Sequence, residues 1–131
     1  MPPSRYLRLT LALPALLLIC HAHAAQWQTL RKKGDALIEV DTASLLRPAE
    51  GKARMWSRIT YTAPRLLDSG AFSFRRQVVL HEFDCAKHQA ATLHTRYEAA
   101  DGSELASEAG DGRELSPVPP DSDLETVLRR A

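Results

Sequence analysis

Along "GKARMWSRITYT", residues 51–62, the chain changes character at every step. Ala53, Met55, Ser57, Ile59 and Tyr61 fall on one side of an extended backbone, and Lys52, Arg54, Trp56, Arg58 and Thr60 on the other. A period of two predicts a strand with one buried face and one basic, solvent-facing side. "ATLHTRYEA", residues 91–99, repeats the alternation, with Leu93 and Tyr97 inward and His94, Arg96 and Glu98 outward. "FSFRRQVVLHEFDC", residues 72–85, is the longest extended candidate, rich in the aromatic and β-branched residues that suit a pleated surface. "QWQTLRK" and "ALIEV" flank Lys33-Gly34-Asp35, which reads as a tight connection between two further strands.

Between the strands lie turn signals. "DTASLLRP", residues 41–48, reads as a loop with one helical turn, and "APRLLDSG", residues 63–70, ends the basic strand at Pro64 and Gly70. Asp101-Gly102 marks a hairpin whose return strand is "SELASE", and "AGDGRELSPVPP", residues 109–120, is a polar connector. Helical periodicity enters only in "DSDLETVLRRA". Ser122 and Glu125 form a capping box, Asp121 and Asp123 sit near the positive end, and Arg129 and Arg130 sit near the negative one. Leu124, Val127 and Leu128 make one apolar stripe. A helix this short is unstable alone in water, so the stripe must dock on the sheet. The chain carries no internal repeat.

The first residues change the picture of where this domain works. Arg5 and Arg8 precede an apolar stretch from Leu9 to Cys20, and Ala22-His23-Ala24 supplies small residues for cleavage. This is the layout of a secretory signal peptide, residues 1–24, leaving a single domain over residues 25–131. The apolar run is too short to span a bilayer, which takes about 20 residues, and no second such run follows, so no transmembrane segment is expected after cleavage. A lipid anchor at Cys20 is the rival reading, disfavoured by the bulky Ile19 before it. The product is periplasmic, secreted or held at the cell surface. Of 17 basic and 16 acidic residues, cleavage removes two arginines, so the remainder is close to neutral and offers no case for nucleic acid. Cys85 is left as a lone thiol in an oxidising compartment, where cysteines ordinarily pair.

Two groups of residues invite chemistry. "HEFDCAKH", His81 to His88, sets histidine, carboxylate and thiol side by side. If the strand runs through Cys85, the pleat puts His81, Phe83 and Cys85 on one face and Glu82 and Asp84 on the other. A metal needs three or four converging ligands at ~2.0–2.3 Å, and nucleophilic catalysis needs Cys and His within hydrogen-bond reach. The favoured reading is a strand ending in a turn with Asp84 capping backbone donors; metal binding and cysteine catalysis are the alternatives. No G-x-S-x-G, H-E-x-x-H, C-x-x-C or phosphate loop occurs. The second group is Trp56 between Arg54 and Arg58, extended by Arg75 and Arg76 on the next strand. A large aromatic on a charged face is often a contact residue; packing against a cross-strand arginine is the other reading.

In order, the features are a leader, Trp27 in a first strand, "IEVDTASLLR", "ARMWSRITYTAP", "EFDCAKH", "YEAADGSELAS" and "SPVPPDSDLETVL" into a last helix. This series resembles the bacterial surface-adhesin protein E family over essentially the whole mature chain. The resemblance implies an α+β fold: a single antiparallel β-sheet of about five or six strands with a C-terminal α-helix packed on it. It also implies that the cysteine after "FD" pairs with one at or past the final helix. Here "LRRA" stands in that place, so Cys85 is half of a missing staple, a bridge worth about 4 kcal/mol in the loop-entropy model.

The function implied is that of a noncatalytic binding or adhesin-like protein of the cell envelope. Its partner is expected to be a host or envelope protein, met through Arg54, Trp56, Arg58, Arg75 and Arg76, without a cofactor. The alternative is a periplasmic carrier of a small ligand, a metal or haem using the region from His81 to His94. A homodimer, through edge strands or Cys85, is compatible with an open sheet.

Overall fold

The computed structural model describes residues 24–112 and 114–131. The expected signal peptide, apart from Ala24, and the alternative anchor Cys20 lie outside the described residues.

Alternation of side chains organises most of the strands. Strand β1 (Trp27–Lys33) turns through Gly34, at φ 57°, into β2 (Ala36–Asp41). The Asp41 carboxylate then caps a single 3-10 turn, Thr42–Ser44, by accepting the Ala43 N–H. β3 (Lys52–Leu66), β4 (Ser73–Asp84), β5 (Gln89–Glu98) and β6 (Glu104–Ala109) complete an antiparallel meander in the order β1-β2-β3-β4-β5-β6. The β5–β6 hairpin closes at Gly102, whose φ of 85° only glycine adopts without strain, with Asp101 accepting the Ser103 N–H. The last element, α1, spans Asp123–Leu128. The expectation of one antiparallel layer with a terminal helix is met, with three differences in detail.

First, β3 does not stop at Pro64 but runs to Leu66. Pairing to β4 is irregular between Thr60 and Arg65, so proline sits where no ladder N–H is required. Second, the polar connector contains a two-residue strand, β7 (Ser116–Pro117), paired with Ala90 and Gln89. Two residues carry no period, so alternation could not reveal it. Third, Leu93 is an extra residue between His94, opposite Leu80, and Thr92, opposite His81. The connector leaves β6 here at Gly110, whose N–H bonds to the Leu93 carbonyl. A Cβ on Gly110 would stand 1.9 Å from the Thr92 carbonyl oxygen, so only glycine lets the two backbones pass.

The buried face of β3 is the one its pattern names. Ala53, Met55 and Ser57 are buried, with Ile38 and Val40 of β2 on one side and Phe83 of β4 on the other. Val127 and Leu128 of α1 and Val118 of the connector close this core, with Leu124 packed alongside. Burying each such aliphatic side chain is worth about 1.5–3 kcal/mol, so the stripe on α1 is what seats it. Ser122 Oγ accepts the Glu125 N–H at 3.1 Å, as a capping box requires. The return bond goes one residue further back: Glu125 Oε2 accepts from Asp121 N–H at 2.6 Å. Polar tethers finish the docking, from Arg47 to the Ala131 carbonyl and from Arg130 to Gln28. A second cluster of edge-to-face rings, Tyr61, Phe72, Phe74 and Tyr97, fills the β3–β4 hairpin end.

Candidate functional site

α1 covers one side of the single layer, and among the described residues the other side of the sheet is open. Cross-strand neighbours share a face, so pairing assigns it. Trp56 stands opposite Leu80, and Leu80 opposite His94, whose ring meets the indole edge-on at 5.9 Å. Arg54, Trp56 and Arg58 all project here, and Arg76 reaches the same surface, its Nε bonding Thr60 Oγ1. Arg75 lines a hollow beside Thr60 and Thr62, and its Nε donates to the Tyr61 carbonyl. The five expected contact residues therefore lie along adjoining strands, β3 and β4.

Arg54, Arg58 and Arg76 are not free charges. Arg54 Nε is 2.6 Å from Glu82, Arg58 forks onto both oxygens of Glu39, and Arg76 meets Glu98 at 3.1 Å. Glu98 also accepts from Arg96, so it bridges two guanidinium groups. Lys52 and Asp84 add a further rung, 2.8 Å apart. The face read as basic from one strand is thus a lattice of alternating sign once its neighbours are in place. Arg58 additionally lies 4.1 Å above the Trp27 ring, a cation–π contact. Trp27 and Trp56, with Asp41, Val78 and Arg96, line a shallow hollow of about 280 Å³.

Trp27, His94 and Arg96 are residues of this face that the contact patch omitted. The alternation of β5 had already turned His94 and Arg96 outward; only strand order, which the sequence does not give directly, sets them beside Trp56. Trp27 reaches the face through its pairing with Asp41.

"HEFDCAKH" is divided by the pleat as its spacing implies. Asp84 ends β4, accepting the Lys87 N–H at 3.0 Å, and the turn passes through His88 at φ 56°. Hydrogen bonds from Lys52 and the Lys87 backbone hold the Asp84 carboxyl below the usual range. His81 is buried under α1 beside Phe83, and burial pushes its imidazole down to about 4. His88 Nε2 lies 3.4 Å from Glu125, and His94 is on the opposite side of the sheet from His81. Glu125 is itself held low, chiefly by the Asp121 N–H and then by Arg129. Among the described residues no three His, Cys, Asp or Glu side chains converge as metal ligands. Cys85 is a free, half-buried thiol packed against the main core.

With this geometry in place, the family assignment rests on a match to the Surface-adhesin protein E model over residues 27–131. The chain belongs to the Surface-adhesin protein E family. Its fold is similar to that of Haemophilus influenzae protein E, with a TM-score of 0.54 at 14% identity, covering 79% of this chain and 81% of that one. The selenomethionine form of the same protein matches with a TM-score of 0.49 at 12% identity, over 82% and 90% of the two chains. None of the curated proteins matches the chain. Among the described residues no helix is long and apolar enough to cross a membrane.

Proposed function

We propose that this Surface-adhesin protein E domain is a noncatalytic binding protein of the cell envelope, exported by residues 1–24, that meets a protein partner with its open face. The reading rests on one observation. A single-layer sheet is covered on one side by α1, while the other presents half-buried Trp56 and Trp27 within a field of arginine–carboxylate pairs. Tryptophan and arginine are the residues that most often carry interface energy, and they do so when ringed by groups that exclude water. Arg54, Arg58, Arg75 and Arg76 supply directional donors around that centre. Because the charges of Arg54, Arg58 and Arg76 are matched in place, attraction comes from the shape and aromatic area of the face more than from net charge.

The test is capture from envelope fractions and from host-cell extracts by the mature protein and by the Trp56→Ala/Arg54→Ala variant. Arg54 is preferred to Arg58 because its side chain is 45% exposed, whereas Arg58 holds the buried Glu39. Loss of capture with an unchanged circular dichroism spectrum is expected; undiminished capture removes the face from consideration.

A further inference from the structure

On the covered side of the sheet a cavity of about 230 Å³ opens between α1 and the strands. Ile38, Ile59 and Val79 form its floor, and Leu124 and Val127 of α1 its roof. Cavities of about 150 Å³ with aliphatic walls already admit benzene, so this one has room for a single ring with a substituent. Ser57, Gln77, Thr92 and Thr95 add polar groups to its wall, and His81 and Asp123 each turn a buried polar atom toward it. His81 is only 9% exposed, and its Nδ1 is buried with no hydrogen-bond partner. Asp123 lines the same cavity, and its Oδ1 is likewise buried without a hydrogen bond; the Arg31 guanidinium stands 4.0 Å away. Buried polar atoms in native proteins are almost always met, so the unmet imidazole nitrogen, with the half-exposed, Arg31-paired Asp123 on the same wall, marks a place for a polar head.

We propose that this cavity binds a small neutral molecule, one aromatic ring bearing a hydrogen-bond donor, of the phenol or indole class. The aliphatic floor and roof take the ring. The Asp123 oxygen accepts the donor, and the imidazole Nδ1 can meet a hydroxyl as acceptor or donor according to tautomer. A carboxylate head would face Asp123 and be repelled, and a cationic one would compete with Arg31. The site lies on the opposite side of the sheet from Trp56, so it stands or falls separately from the partner face.

Titration of the isotopically labelled mature protein at neutral pH, followed by amide and imidazole resonances, tests this with phenol, indole, toluene and benzoate. Saturable shifts of His81, Val79 and Leu124 are expected with phenol and indole. Losing one hydrogen bond should weaken binding by about tenfold, so toluene to the native protein, and phenol to the His81→Leu and Asp123→Ala variants, should all bind less tightly by about that factor. Shifts that never saturate, shifts confined to the surface around Trp56, or equal affinity in whichever variant retains the native spectrum would overturn the assignment. So would benzoate binding as tightly as phenol.

Discussion

His81 illustrates how one side chain can set the response of a whole domain to acid. In an unfolded chain its imidazole titrates near 6.5; beneath α1, burial holds it near 4. Between those values the unfolded state binds a proton that the folded state refuses, so stability falls as pH drops from about 6.5 to about 4 and levels off below. The span corresponds to about 3 kcal/mol. Urea midpoints measured across that window should slope downward toward acid, and His81→Leu should flatten the slope. Asp84 and Glu125, held low by their hydrogen bonds, act in the same direction but later: their stabilisation is complete above the ordinary carboxylate range and is lost below it. Nothing in "HEFDCAKH" announced this role. Alternation put His81 on the same face as Phe83, but that the face lies under a helix, largely shielded from water, depends on a segment some forty residues downstream.

For the elements, the helix is the most exposed to loss. α1 has six residues, and its first turn depends on Ser122, whose hydroxyl accepts the Glu125 N–H. Ser122→Ala should cost about 1 kcal/mol, read as a lower denaturation midpoint and as faster amide exchange at Leu124, Val127 and Leu128 with the strands unaffected. This helix, β3 and the β5–β6 hairpin could be read from the sequence because each carries its own local signal: a capping box, strict alternation, an Asp-Gly turn. The extension of β3 past Pro64, the extra Leu93 and the two residues of β7 could not. Each is dictated by a neighbouring strand, and an irregularity of pairing leaves no period in the chain that bears it. The proposed contact face was legible to the same degree. Trp56 and its flanking arginines follow from β3 alone, whereas the carboxylates that match them come from β2, β4 and β5.

The whole molecule is a sheet with two unlike sides, one closed by apolar packing and one laced by ion pairs. Its integrity turns on the first. Val127 is 3% exposed, and Val127→Asp would drive a carboxylate into that packing at a cost of several kcal/mol. Release of α1 should then bare Ile38, Val40 and Met55, which binding of a hydrophobic dye and aggregation on concentration would report; a monomeric, dye-free variant would show that the helix is not what seals the core. The ion-paired side tolerates change unevenly: the exposed Arg54 contributes roughly 0–1 kcal/mol, whereas loss of Arg58 would strand the buried Glu39 at a cost of several kcal/mol. The two rims of the layer differ as well. Beyond β5 the outermost chain comes in two pieces, β6 and β7, with the connector crossing at Gly110 between them. An incoming strand would find there a broken template, out of step with itself. β1 presents the opposite rim, kinked at Leu30 and carrying Arg31, Lys32 and Lys33. Runaway stacking of copies into fibrils is therefore hindered at one end by geometry and at the other by crowded positive charge, so a layer with one uncovered side can persist without zipping onto itself.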